Sequence, residues 1–258
     1  MDVRKALVVY NARKNKEHQT AVKTVRSALR KLGVKFKFAV KENATKNMMK
    51  GIDLVITVGG DGTFIEASHL IDNDTLILGV NSDPKSSEGV HTMATRFDFE
   101  EKLKKILRGD FSVERWHRLS AVLDGKALPP SLNEVYIGTL HQFLTSRYTL
   151  IRGGKREPQK SSGVIVSTGC GSTAWYASAG GRPFPRTSHE GRFIIREPYR
   201  GRLTPIKTTE GVVDSGLTVE SNMRKGCVAI DSTKVFGFGR GSVVTVNLSN
   251  KPLHVIVF

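Results

Sequence analysis

The run Asp53-Leu54-Val55-Ile56-Thr57-Val58-Gly59-Gly60-Asp61-Gly62-Thr63 decides how the rest of the chain is read. Its first six residues are almost continuously apolar, the signature of a strand buried on both faces. The glycines that follow permit a tight strand-to-helix turn whose backbone N–H groups can approach phosphate oxygens. A helix beginning near Phe64 would add its positive end to the same anion site. Asp61 is out of character there, since a carboxylate among phosphate-binding amides repels phosphate. It fits as a general base or as a group acting through a bound cation. It fits equally as the cap of an ordinary Asp-Gly turn.

Outward from this turn the first hundred residues alternate strand and helix signals. Lys5–Tyr10 reads as a strand, and His18–Leu32 as a helix with Ala21, Val22, Val25, Ala28, Leu29 and Leu32 on one face, stopped by Gly33. Val34–Val40 alternates as a strand does, Thr75–Val80 is a second buried strand, and Thr63 to about Ile71 is helix-competent. Phe97–Leu107 predicts an amphipathic helix through Phe97, Leu103, Ile106 and Leu107, ended by Gly109. This is the grammar of an α/β amino-terminal domain with a mainly parallel sheet and its chemistry at the carboxyl ends of the strands. Beyond about residue 110 short β runs take over, at Arg118–Leu123, Asn133–Ile137, Ser146–Ile151, Gly163–Ser167, Leu217–Glu220, Cys227–Ile230 and Val243–Asn247. The expected division is therefore 1–110, an α/β domain carrying the glycine loop, and 111–258, a β-rich domain whose last residues are able to return to the first. Gly180–Pro205, rich in Gly, Pro and Arg, reads as a flap or a long connection.

Composition narrows the function classes. The chain has 258 residues, enough for one large or two small domains, and no stretch approaches the ~20 apolar residues of a spanning helix. The short apolar run ending at Tyr10 lacks a small-residue cleavage site and reads as a first strand rather than a signal peptide, which makes the cytoplasm the default. Two cysteines, Cys170 and Cys227, are too few for a disulfide scaffold or a Cys-based zinc site, and two free thiols are expected. The formal charge of +16 favours anionic partners. With 7% aromatic residues and no basic–aromatic interleaving, nucleic acid is disfavoured as the main ligand. His69, His91, His117, His141 and His189 make no metal-ligand spacing and read as structural or solvated residues; no protein-held metal site is expected.

A second glycine-rich loop, Ser167-Thr168-Gly169-Cys170-Gly171-Ser172-Thr173-Ala174-Trp175, follows the strand at Gly163–Val166 and leads into an apparent helix, Ala174–Ala179. It gathers hydroxyls and N–H donors around one point, with Trp175 able to stack on a flat ring; a capped helix with a core Trp is the structural alternative. Walker and GxGxxG fingerprints are absent, and no G-x-S-x-G elbow surrounds Ser172. Leu132-Asn133-Glu134-Val135 puts an amide and a carboxylate at the start of an apolar strand.

Taken together, GGDGT, then NEV, then STGxGSTAW with a trailing AGG resembles the NAD kinase family in order and spacing. Asn81-Ser82-Asp83-Pro84 with Ser87-Glu88-Gly89, Gln159-Lys160-Ser161-Ser162-Gly163 and Ile195-Arg196-Glu197-Pro198 are similar to its mitochondrial-type branch. The resemblance implies an α/β domain and a β-rich domain with the site between them. It also implies phosphorylation of the adenosine-ribose 2′-hydroxyl of NAD or NADH by ATP, with its Mg²⁺, or by polyphosphate. Asp61 would accept the hydroxyl proton, Gly62 would lie against the dinucleotide, and Gly60 and Thr63 complete the phosphate loop. Asn133 and Glu134 would bind NAD, while Thr173, Ala174 and Ser178 hold the adenosine, with Trp175 where many members have Tyr. Ser162 stands where many members carry a dinucleotide-contacting aspartate. Lys160 and Arg196 are candidates for phosphate neutralisation, although Arg196 also fits an ion pair with Glu197. The strand-end Asp231 faces either the site or a structural turn. Family likeness further implies a homodimer or homotetramer without a membrane partner. GGDGT alone is shared with lipid kinases, so a lipid or other small-molecule kinase is the alternative enzyme. A non-catalytic nucleotide- or nucleic-acid-binding protein is the alternative from another class.

Overall fold

The computed structural model describes residues 3–202 and 206–258, so the end of the Gly180–Pro205 stretch lies outside the described residues. Two compact units divide the chain: one runs to Arg115 and regains Leu253–Phe258, and the other is Trp116–Pro252.

The first unit opens with β1 (Lys5–Tyr10), α1 (Lys16–Lys31) and β2 (Lys35–Val40). β3 (Leu54–Gly59), α2 (Asp61–Ser68) and β4 (Leu76–Asn81) follow, then β5 (Ala94–Thr95), α3 (Phe99–Arg108) and β6 (Ser112–Trp116). Helix α1 starts two residues before the expected His18 because the Asn15 side chain caps it, accepting the His18 N–H at 3.1 Å. Helix α3 departs from its expected seam. Asp98 Oδ1 accepts both the N–H and the hydroxyl of Thr95, at 2.6 and 3.0 Å, which holds residues 95–98 in a turn and starts the helix at Phe99. The buried seam is therefore Phe99, Leu103 and Ile106, while Phe97 is 78% exposed under the Arg96 guanidinium and Leu107 faces outward. Gly109 ends α3 with φ +83°, a conformation that suits glycine.

The second unit holds β7 (Leu119–Leu123), β8 (Lys126–Ala127), β9 (Glu134–Thr139), β10 (Ser146–Arg152), β11 (Lys155–Ser161) and β12 (Val164–Ser167). After the one-turn helix α4 (Trp175–Ser178) come β13 (Gly191–Ile195), β14 (Glu210–Val213), β15 (Leu217–Ser221), β16 (Gly226–Ile230), β17 (Lys234–Phe238) and β18 (Val243–Leu248). Gly180–Pro205, expected as a flap or a long connection, contains strand β13. Phe193 and Ile195 bury one face of this strand and Ile194 the other. Five residues of strand are too short a signal to stand out against the surrounding Gly, Pro and Arg. The chain closes with β19 (Leu253–Val257), which rejoins the first unit.

Among the described residues the strands form three sheets. The first has the order β2-β1-β3-β4-β19-β6, with β5 added beside β4. Strands β1 to β4 and β19 pair in parallel. Helices α1 and α3 cover one face through Val25, Leu29, Leu103 and Ile106, packed on Val8, Ile56 and Leu78. The fold class is thus α/β with a mostly parallel sheet, followed by a β-rich remainder of antiparallel sheets. Those two, β11-β10-β15-β18-β7-β8 and β14-β13-β12-β9-β16-β17, share one apolar core between them. The second of them is buried on its outer face as well, where Tyr176 and Phe184 cover Tyr136 and Ile165. Cys170 and Cys227 are buried free thiols. Among the described residues no helix is long and apolar enough to cross a membrane.

Leu253, Val255 and Ile256 are fully buried. At roughly 1.5–3 kcal/mol for each such side chain, β19 contributes on the order of 5 kcal/mol and shields the edge of β4. A chain ending at Pro252 is expected to melt at least ~10 °C lower by circular dichroism, or to aggregate during purification.

Candidate functional site

In the first unit the buried strand β3 delivers the chain to Gly60, and α2 begins immediately at Asp61 rather than near Phe64. Residues 61–63 are therefore the first turn of the helix, with the Gly60 carbonyl accepting from the N–H groups of Thr63 and Phe64 at 3.0 and 3.4 Å. The glycines serve different ends. A Cβ on Gly59 would fall 2.3 Å from Thr63 Oγ1, and one on Gly60 would fall 2.4 Å from Ser87 Oγ. At Gly62 a Cβ meets nothing, so its backbone is open to a ligand. Thr63 is buried and its hydroxyl accepts from Asn11 Nδ2 at 3.4 Å.

Asp61 is half-buried at the positive end of α2. Its Oδ1 accepts the main-chain N–H of His91 at 2.7 Å and faces the His91 ring Nδ1 at 3.1 Å. Burial pushes the Asp61 carboxyl upward, but the hydrogen bonds and charge of His91 outweigh it and hold the group below the ordinary carboxylate value. Beside it opens a cavity of about 610 Å³ lined by Asn11, Arg13, Lys41, Glu42, Ser86 and Ser87 together with Gly60–Thr63. Lys41 is tied to Glu66 at 2.6 Å. The cavity therefore combines a free edge of backbone, hydroxyls and cations, which is the equipment for a polyphosphate group.

In the second unit Asn133 and Glu134 enter β9 under the control of Asp231. The Asp231 carboxylate accepts from Ser131 Oγ at 2.6 Å and from the N–H groups of Leu132, Asn133 and Glu134 at 2.8, 2.8 and 3.0 Å. Asp231 itself sits at φ +49° in a turn after β16. Of its two expected roles, the structure gives it the structural one. The glycine-rich loop is stitched to the same segment: Thr168 Oγ1 donates to the Leu132 carbonyl at 2.5 Å and Thr168 N–H to the Asn133 carbonyl at 2.9 Å. A Cβ on Gly171 would lie 2.3 Å from that Asn133 carbonyl oxygen, so glycine there is a packing requirement. The hydroxyl of Ser172 is spent on the Gly169 and Phe184 carbonyls.

Past this buried framework Thr173, Ala174 and Ser178 are exposed and Trp175 is half-buried. Trp175 stacks on Tyr136 with ring centroids 5.1 Å apart, and the Arg196 guanidinium lies 5.2 Å from its ring. Tyr136 donates its hydroxyl to the Ser162 carbonyl at 3.0 Å, which brings Ser162 into the group. Arg196 also meets Glu197 at 3.4 Å. The Lys160 amine lies 5.9 Å from the centre of the Tyr199 ring.

Asn11 and Arg13 line the cavity and the buried His91, expected as structural or solvated, touches Asp61; none of the three was a candidate in the sequence reading. A sequence signal exists for Asn11 and Arg13, which directly follow the carboxyl end of β1. None marks His91. Glu134 is buried, and burial together with the neighbouring Asp231 charge pushes its carboxyl up to about 7, against a hydrogen bond from Ser232.

Against this geometry, a family model described as ATP-NAD kinase N-terminal domain matches residues 3–111. A protein named probable NADH kinase from Oryza sativa subsp. japonica is 31% identical over 266 residues, covering 93% of this chain and 81% of that protein. NAD kinase 2, mitochondrial, from Homo sapiens is 29% identical over 202 residues, covering 61% of this chain and 46% of that one. The crystal structure of an NAD kinase from Archaeoglobus fulgidus in complex with ATP superposes with a TM-score of 0.79 at 25% identity, over 97% of this chain and 92% of that one.

The raised Glu134 carboxyl has a consequence for stability. The folded protein holds this proton to higher pH than the unfolded chain does, so the stabilisation is complete below the unfolded value of 4.5 and is lost as pH rises through about 7. Glu134→Gln, which keeps an acceptor for Ser232, is expected to raise Tm by several °C at pH 8 and to leave it nearly unchanged at pH 4.5, measured by differential scanning calorimetry.

Proposed function

This chain belongs to the NAD kinase family, and on that premise we propose how its residues divide the work of an NAD(H) kinase. A phosphoryl group passes from ATP to the 2′-hydroxyl of the adenosine ribose of NAD or NADH. The observation that carries this reading is Asp61: an ionised carboxylate on the first turn of a helix, beside an open cavity of hydroxyls, cations and backbone N–H groups.

A ribose hydroxyl is a weak nucleophile, so transfer requires positioning, a proton acceptor and charge neutralisation on the phosphates. Asp61 accepts the hydroxyl proton as the oxygen attacks phosphorus. Gly62, whose backbone is open, lets the dinucleotide approach. Gly60 and Thr63 shape the loop, and Arg13 with Ser86 and Ser87 receives the donor phosphates. Asn133 and Glu134 bind the dinucleotide, and the exposed Thr173, Ala174 and Ser178 hold the adenosine, with Trp175 as its stacking surface. Ser162 contributes the neighbouring polar contact. Lys160 is the weakest member, since its amine lies against Tyr199. When bound with the nucleotide, Mg²⁺ neutralises phosphate charge. The ligands of such an ion would be mostly phosphate oxygens and water.

The same reading assigns residues 1–110 to the phosphate loop and 111–258 to NAD binding, with the last residues returning to the first domain. It also carries a homodimer or homotetramer, which sedimentation tests. Two buried free thiols support a cytoplasmic, reducing location.

Purified chain is to be assayed with NAD and NADH, each against ATP and polyphosphate, with Mg²⁺, reading NADP(H) through a specific dehydrogenase. NADP(H) is expected in at least the ATP arms. Asp61→Asn is expected to lower kcat by about 10²–10⁴-fold while NAD still binds by calorimetry. Retained turnover in that variant overturns the role given to Asp61.

A further inference from the structure

The His91 segment is built into place by features that have no bearing on its own chemistry. Gly79 on β4 leaves room for it: a Cβ there would lie 2.8 Å from the His91 carbonyl oxygen. Gly89, at φ +65°, turns the chain so that its carbonyl accepts the Thr92 N–H at 2.9 Å, and Met93 N–H donates to the Gly79 carbonyl at 3.0 Å. The His91 ring is 4% exposed and stacks on Phe64, in the second turn of α2, with centroids 5.7 Å apart. Strand β4, the short strand β5 and helix α2 thus fix one imidazole against one carboxylate.

Asp61 is held below the ordinary carboxylate value and is ionised near neutrality, so it can only accept, and the nitrogen facing it at 3.1 Å must carry the hydrogen. Oδ1 of Asp61 therefore receives two donors from one residue, the main-chain N–H and Nδ1–H of His91. Val90 N–H acts on the carboxylate in the same direction. The other charged groups around this cavity are Arg13, Lys41 and Glu42, with Lys41 occupied by Glu66.

We propose that His91 is the positioning residue of the phosphoryl transfer, pinning Oδ1 of Asp61 so that Oδ2 is the oxygen that takes the substrate hydroxyl's proton. The inference rests on Asp61 as proton acceptor. In the step it serves, the ribose oxygen bonds to the γ-phosphorus of ATP, the bond from that phosphorus to the departing ADP oxygen breaks, and the hydroxyl proton passes to Oδ2. His91 neither gains nor loses a proton. Its ring fixes which oxygen is presented and at what angle, and a misplacement of about 1 Å in such a group costs on the order of 100-fold.

Two substitutions separate the hydrogen bond from the packing. His91→Phe keeps a ring on Phe64 and removes the donor. His91→Asn removes the ring and places an amide N–H close to where Nδ1 stood. With full-length chain, NAD, ATP and Mg²⁺, H91F is expected to lose about 10- to 100-fold in kcat with KM for NAD within twofold. The acid limb of its kcat–pH profile should move upward, because the ionised Asp61 has lost a donor. H91N is expected to recover most of kcat and to return the limb toward its original place. If H91F does not fold, as read by near-UV circular dichroism, His91→Gln replaces it, since its amide reaches the Nε2 position instead of Nδ1; a folded, impaired H91Q beside an active H91N supports the proposal. Unchanged kcat and pH profile in H91F, or a folded H91N as impaired as H91F, overturns it. D61N distinguishes the two layers: an active D61N removes the Asp61 reading itself, whereas an inactive D61N beside a fully active H91F removes only the role of His91.

Discussion

Asp231 lays one carboxylate along the main chain of Ser131–Glu134, and its two oxygens take up a hydroxyl and three successive N–H groups. Those N–H groups lie buried at the entry to β9, so without the carboxylate each left unpaired would cost about 1–3 kcal/mol. The Asn133 and Leu132 carbonyls held in this way are the acceptors for Thr168, and the Asn133 carbonyl is the surface against which Gly171 packs. One buried side chain thereby sets the positions of two sequence motifs that stand far apart in the chain. The arrangement also has an electrostatic price: a second carboxyl, Glu134, is buried close by and keeps its proton to near neutrality.

The first unit uses a carboxylate in the opposite sense. Asp61 is held by two donors from His91 on one oxygen and is half-exposed, whereas Asp231 is buried and accepts from four donors. Buried under four donors, Asp231 is architecture; half-buried, Asp61 borders a cavity that a ligand can enter. The same contrast separates the glycines. Gly59, Gly60 and Gly171 are small because backbone or side chain lies where a Cβ would be, whereas Gly62 is small beside open space.

The strand and helix pattern was legible wherever a local period reported burial. The apolar runs at Asp53–Val58 and Thr75–Val80 appear as strands shifted by one residue, β3 and β4. Misreadings cluster where a side chain outside the period decides the boundary. Asn15 lengthened α1, Asp98 moved the start of α3 past Phe97, and the helix after β3 began at Asp61 because the extended Gly60 is its cap, with its carbonyl accepting from Thr63 and Phe64 N–H. Strand β13 was hidden in a segment whose composition reads as loop, although pairing with β12 and β14 supplies its hydrogen bonds.

By itself the sequence determined the fold class and the family, because both follow from short-range patterns: alternating apolar runs, glycine loops after strands, and motifs in a fixed order. It could not determine what each motif residue touches. His91 lies 30 residues from Asp61, and Asp231 lies 97 from Glu134; in both cases the contact exists only because β-sheet pairing brings remote segments together. A carboxylate's chemistry depends on how many donors surround it and how much water it has lost. Those are properties of a packed neighbourhood, and only the tertiary structure creates the neighbourhood.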